Sequence, residues 1–270
     1  MIKKITPVAA AAALLVWPGT VQAAAAEPIT MAALGDSISA GFNACGWYVA
    51  CTSRSWSAGD HKDVDSHYLR LLDGGADVKG RNRNFAYNGA TSEDLMEQTE
   101  EAIAAKANYV TILIGAQDAC VRTEQQMTPV ATYRARVDAA LAKLAPTGAQ
   151  VRIVSIPDLK RLWKVGKDNA IARAFWGIAR ICQTMLANPT STAQKDEDRR
   201  DRVRARVMAY NNEMAKACAA YGANCRYDNG EVFKFPFTLS MVSKWDYFHP
   251  NAVGQRTIAR LSFDAVEVPV

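Results

Sequence analysis

The chain is predicted to fold as a three-layer αβα sandwich around a five-stranded, mainly parallel sheet, and three observations carry that prediction. Short apolar runs alternate with longer segments of helical period along most of its 270 residues. The run "YVTILIG", Tyr109 to Gly115, is β-branched and shows no polar alternation, the mark of a strand buried on both faces. No Pro- or Ser-rich linker interrupts the pattern, so residues 27–270 read as one domain.

The first segment is set apart from that domain. Lys3 and Lys4 precede an apolar stretch from Val8 to Trp17, Pro18 and Gly19 break it, and "VQAAAAEP" offers small-residue cleavage sites after Ala23 or Ala26. Residues 1–26 therefore read as a secretory signal peptide, with the mature protein outside the cell. The apolar stretch is shorter than the roughly 18 residues a spanning helix needs, and no transmembrane segment is expected. Strand one is "ITMAALG", and a helix follows over Asp63 to Leu72, where Val64, Tyr68, Leu69, Leu71 and Leu72 recur at helical spacing before Gly74 and Gly75. "RNFAYNG" is the second strand. Thr91 to Asp94 caps a helix running to about Ala107. After "YVTILIG", a helix is expected between Pro129 and Pro146, with "QVRIVSIPD" as the fourth strand. Beyond Pro157 come a long helical region with a loop near Asn188-Pro189, a helix over about Lys195 to Tyr221, the strand "CRYDN" and a last helix from about Asn251.

Composition removes several function classes. A net charge of +5 that drops by two when Lys3 and Lys4 are cleaved away is too mild for a nucleic-acid binder. The run "QKDEDRRDRVRAR" mixes both signs at helical spacing and reads as a solvated helix face. Six cysteines in an exported chain should be oxidised, and six allow 15 connectivities. Cys45 with Cys51 and Cys218 with Cys225 close short loops, leaving Cys120 to pair with Cys182. There is no C-x-x-C, and His61, His67 and His249 form no ligand-spaced cluster, so neither metal nor cofactor is expected. Nothing in charge or composition asks for self-association, and a monomer is expected.

In a parallel sheet the loops at the carboxyl ends of the strands gather into one site. After the first strand comes "GDSIS" with Ser37; after the second, Asn88-Gly89; after the third, "GAQD" with Gln117; and near the C-terminus "WDYFHPN" sets Asp246 three residues before His249. Each has a bland reading as a cap or a turn, and together they fill the roles of acyl transfer. Ser37 is the candidate nucleophile, His249 its base and Asp246 the acid that orients the base. The Ser37 backbone N–H at a helix N-terminus, a second N–H at Gly89 and the Gln117 amide are candidate oxyanion donors.

These four blocks, in this order from Gly35 to Pro250, resemble the SGNH (GDSL) hydrolase family. "CGWYVACTSRSWSAG" and "IPDLKRLWKVG" resemble segments of its secreted bacterial members. The resemblance implies a flavodoxin-like fold, metal-free hydrolysis through an acyl-enzyme, and ester substrates of small-molecule, lipid or acylated-sugar type. It departs at block three, where the family supplies Asn and this chain has Gln117. The extra methylene calls for a shifted loop, a slower enzyme, or lost hydrolysis; retention of Ser37, Gly89, Asp246 and His249 favours activity. Trp47 and Tyr48, in the Cys45 to Cys51 loop, are candidate walls of the substrate pocket, as are Trp163, Phe175 and Trp176 after the fourth strand. Phe175, Ile178, Ala179 and Cys182 share one helix face and read as core, and Trp245 as a shield over Asp246 and His249. A secreted esterase or lipase is the leading expectation. A polysaccharide deacetylase or an acyltransferase of the same fold, and a non-catalytic binding module, are the alternatives.

Overall fold

A computed structural model describes residues 1–3 and 27–264. The signal-peptide reading falls mainly on residues 4–26 and lies outside the described residues. Five parallel strands form the sheet: β1 (Met31–Gly35), β2 (Asn82–Asn84), β3 (Tyr109–Leu113), β4 (Gln150–Ile153) and β5 (Cys225–Tyr227). Their spatial order is β2-β1-β3-β4-β5, the flavodoxin-like winding. Every residue of β1 and β3 is buried, as the unbroken apolar run in "YVTILIG" requires.

The period of two along β1 sorts its side chains between two cores. Ala32 and Leu34 join the larger core, shared with α2 (Leu95–Ala104), α4 (Val130–Leu144) and α8 (Gln194–Tyr221). Met31 and Ala33 join the smaller one, shared with Tyr68 and Leu71 of α1 (His67–Asp73) and with Phe263 of α10 (Ala252–Asp264). The remaining helices are α3 (Ala116–Ala119), α5 (Leu159–Gly166), α6 (Ala170–Ile178), α7 (Gln183–Leu186) and α9 (Glu231–Lys234). Among the described residues no helix is long and apolar enough to cross a membrane.

Several expectations are corrected. No α-helix follows β1: Ala40 N–H donates to Asp36 O, but Phe42 N–H reaches back to Ser37 O and Gly41 (φ 66°) and Asn43 (φ 57°) turn left-handed, which ends the helical path after one turn. Strand β2 is three residues long and stops before Phe85, because Ala86 N–H turns back to the Asn84 side chain instead of the ladder. α1 starts at His67, not Asp63, with Ser66 Oγ accepting the Leu69 N–H as its cap. Phe175 packs against the larger core as expected and Cys182 is buried in it, but Ile178 and Ala179 are exposed and Cys182 falls outside α6 with φ 44°, so the four do not share one helix face; the fully buried residues of α6 are Ala172 and Trp176. The Trp176 indole N–H instead donates to Tyr247 O at 2.9 Å.

Three disulfides staple the layers: Cys45–Cys51 after β1, Cys120–Cys182 between the end of α3 and the start of α7, and Cys218–Cys225 between α8 and β5. His67 lies fully buried beneath the sheet, with Nδ1 3.0 Å from Tyr109 Oη and Nε2 2.8 Å from Ser262 Oγ. Burial, followed by the charges of Arg152 and Arg70, pushes its pKa down from 6.5 to about 3. The folded state therefore binds fewer protons than the unfolded chain between those values, and stability is lost as pH falls through that window. The unfolding free energy of the wild type relative to His67→Gln is expected to drop by roughly 3 kcal/mol between pH 7 and pH 4. Urea melts of both proteins at the two pH values read this; a constant difference would refute it.

Candidate active site

Ser37 stands on the turn immediately after β1. Gly35 ends that strand at φ 140°, and a Cβ there would lie 2.0 Å from Leu113 O, so only glycine lets β1 run this close to β3 before turning. The buried Gln98 of α2 holds both backbone polar groups of this glycine: Oε1 accepts Gly35 N–H at 2.7 Å and Nε2 donates to Gly35 O at 2.9 Å. Gln255 of α10 adds a second clamp, accepting Trp56 N–H and donating to Ile38 O, both at 2.9 Å.

Asn251 precedes α10 and caps it, its Oδ1 accepting the N–H groups of Val253 and Gly254. The loop before it carries His249 and Asp246. His249 Nε2 is 2.8 Å from Ser37 Oγ, and His249 Nδ1 is 2.6 Å from Asp246 Oδ2. Asp246 is held on four sides. Its Oδ1 accepts the N–H of Phe248 at 2.8 Å and of His249 at 3.1 Å, and its Oδ2 also accepts from the Asn43 amide. Burial alone would raise the Asp246 carboxyl, but hydrogen bonding to His249, its charge, the Phe248 N–H and Asn43 together hold it below the ordinary carboxylate value.

Asp36, beside Ser37, behaves oppositely. Complete burial raises it from 3.8 to about 6 against the pull of the Ile38 N–H and the His249 charge, and its Oδ2 has no hydrogen-bond partner among the described atoms.

Gly89 lies exposed in the loop after β2 at φ 87°, with open space where a Cβ would be; its glycine serves the backbone conformation rather than a close approach. Gln117 is the second residue of α3, a single helical turn where the sequence suggested only a loop. Its N-cap Gly115 sits at φ 120°, where a Cβ would meet Ile156 and Tyr133 at 2.7 and 3.0 Å.

Two cavities meet at these residues. One, of about 70 Å³, is apolar and lined by Ser37, Gln117 and His249 together with Leu159, Leu162, Val165, Phe237 and Met241. The other is an open groove of about 560 Å³, lined by Asp246, His249 and Gln117 with Tyr48, Asn88, Arg122, Gln126 and Arg180. Tyr48 thus borders the site as the sequence suggested. Trp47 does not: it is 74% exposed and packs at a tilt against Trp245, ring centroids 4.7 Å apart, and Trp245 also lies against Gly46, so it covers the disulfide loop. Trp163 lines neither cavity. It is buried, donates to Pro189 O at 2.8 Å and lies under the Arg200 guanidinium, which is 4.2 Å from its ring centroid. Sequence reasoning missed Asn43 and Gln98. Both are ordinary polar residues whose roles depend on partners 203 and 63 residues away.

Comparison with known proteins agrees with the winding of the sheet. Similar solved structures include an alpha/beta hydrolase enzyme from the metagenome of Lake Arreo, Spain, at 18% identity and TM-score 0.55, with 87% of this chain and 93% of that one covered. An acetylxylan esterase from Geobacillus stearothermophilus is similar at 17% identity and TM-score 0.50, covering 88% and 96%. The acetyl xylan esterase AlAXEase aligns at 15% identity and TM-score 0.51, covering 88% and 100%. At these identities the likeness establishes the fold. Among curated proteins no relative matches. A family model, the GDSL-like lipase/acylhydrolase, matches residues 31–261. That span takes in all five strands and the loops bearing Ser37, Gly89, Gln117, Asp246 and His249, and the chain belongs to the GDSL-like lipase/acylhydrolase family.

Proposed function

We propose that this protein is an exported serine ester hydrolase that works through an acyl-enzyme. The observation that carries the reading is the hydrogen-bonded line Ser37–His249–Asp246 at the junction of a small apolar cavity and a wide open groove. Asp246 fixes the imidazole with Nδ1 protonated, which leaves Nε2 to take the Ser37 proton as Oγ attacks the ester carbonyl. The tetrahedral oxyanion is met by the backbone N–H groups of Ser37 and Gly89 and by the Gln117 amide. As the intermediate collapses, the His249 proton passes to the departing alcohol, and water then releases the acid by the same route in reverse. The acyl chain occupies the apolar cavity, whose small volume suits short chains, and the alcohol leaves through the groove. The three disulfides fit an oxidising compartment, in keeping with cleavage of a signal peptide near Ala23 to Ala26.

The test is hydrolysis of p-nitrophenyl esters from acetate to palmitate by the mature protein beside Ser37→Ala. Turnover by the wild type alone, with its optimum at the short end, supports the reading; silence from both overturns it. A second reading, in which the alcohol is a sugar hydroxyl and the enzyme deacetylates or acylates it, draws on Tyr48, an exposed aromatic ring that borders the groove. Apparent transfer to added sugar in the same assay would favour it.

Gln117 lines both cavities, as an oxyanion donor between acyl and alcohol sides must. Gln117→Ala is expected to lower kcat by about 10²-fold with little change in KM, since a single oxyanion donor is worth about 10²–10³ in rate. Gln117→Asn should recover part of the loss. Unchanged turnover in both variants would remove the side chain from the oxyanion site.

A further inference from the structure

The groove on the alcohol side carries a charge that hydrolysis as such does not use. Arg122 and Arg180 both line it, next to His249 and Gln117. Arg122 follows Cys120 by two residues and Arg180 precedes Cys182 by two, so the Cys120–Cys182 disulfide, with Cα atoms 4.3 Å apart, holds their two segments together. Thr184 reinforces the junction, its N–H donating to Val121 O at 3.0 Å and its hydroxyl to Ala119 O at 2.7 Å. Arg180 itself sits at φ 51° in the tight passage from α6 to α7.

Two like charges are thereby kept beside one groove, outnumbering its single carboxylate, Asp246. Among the described residues neither Arg122 nor Arg180 forms an ion pair, although most other arginines of the chain find an acidic or carbonyl partner. The one acidic lining residue, Asp246, is committed to His249, Asn43 and two backbone N–H groups. Glu124, two residues from Arg122, is engaged instead by Arg202 through two contacts of 2.7 and 2.9 Å. Both side chains are exposed to the open groove, and a guanidinium presents a planar fork of donors that matches a carboxylate or phosphate.

Resting on the hydrolase reading above, we propose that the natural substrate is an ester whose alcohol part carries an anionic oxyacid group, seated between Arg122 and Arg180 while its acyl chain fills the apolar cavity. The bond broken is the ordinary acyl–oxygen ester bond; the anion positions the alcohol and takes no part in proton transfer.

The experiment compares 4-acetoxybenzoate with its uncharged methyl ester, and 4-acetoxyphenyl phosphate as a second anionic arm. The ratio of kcat/KM for each anionic ester over the neutral one is measured in the wild type, in Arg122→Gln/Arg180→Gln, and in Arg83→Gln, an exposed arginine outside the groove that controls for net charge. The ratio is expected to fall about tenfold or more in the double variant, to stay at the wild-type value in Arg83→Gln, and to fall in the wild type as salt is raised. A larger effect on the phosphate arm would identify the anion as a phosphate, and on the benzoate arm as a carboxylate; either supports the proposal. A ratio that is the same in all three proteins, with the neutral ester still hydrolysed, overturns the anionic substrate and leaves the hydrolase reading intact. No hydrolysis of any ester by the wild type would overturn the hydrolase reading and this proposal together.

Discussion

Ser37→Ala is expected to lower kcat for p-nitrophenyl esters by about 10⁶-fold, the scale on which losing a serine nucleophile acts when it shares its work with a histidine base. The fold should not notice. The turn that presents Ser37 is held by the Gln98 clamp on Gly35 and the Gln255 clamp on Ile38, neither of which touches Oγ. Thermal melting of the variant should therefore match the wild type, and a p-nitrophenyl phosphonate should add one phosphonyl mass to Ser37 of the wild type and none to the variant. Full labelling or substantial turnover in Ser37→Ala would place the nucleophile elsewhere.

Asp246→Asn should cost about 10⁴-fold in kcat, and the hydrogen-bond pattern explains why so small a change does so much. All Asp246 contacts in the site come from donors: two backbone N–H groups on Oδ1, and Asn43 with His249 on Oδ2. An asparagine cannot satisfy them all. With its amide nitrogen toward His249 it sets donor against donor and drives the imidazole to the tautomer that protonates Nε2, which then cannot accept from Ser37. Flipped, the nitrogen faces the Phe248 and His249 N–H groups, and the buried loop loses its anchor. The negative charge that steadies the imidazolium is gone in either case. Steady-state kinetics with a p-nitrophenyl ester measures this, and a loss under tenfold would remove Asp246 from the mechanism.

The sheet was legible in the sequence because strands buried on both faces cannot hide: β1 and β3 have no polar residue at the surface to blur their pattern. Ser37, at a strand end, and Asp246 with His249, near the C-terminus, were expected to come together, and the structure joins them in one hydrogen-bonded line, although no single block decided the matter. Three things could not be read. Where the chain after β1 turns left-handed at Gly41 and Asn43, helix-cap residues such as Asp36 and Ser37 lead into no helix, since the cap is a local signal and the turn is set by tertiary contacts. On α6 the periodicity offered two faces, and packing against the loop at Tyr247 chose Trp176. Asn43, Gln98 and the two groove arginines carry no local signal at all; their meaning comes from which distant segment they meet.

The order of the disulfides has a consequence for how the chain is made. Numbered along the sequence, the six cysteines pair first with second, third with fourth and fifth with sixth. A chain threaded into an oxidising compartment from its amino end presents each pair complete before the next arrives, with no later cysteine whose correct partner has already been taken. For the exported protein proposed above, entry from the amino end leads to the native pairing, and maturation should need an oxidase but no enzyme that reshuffles bonds.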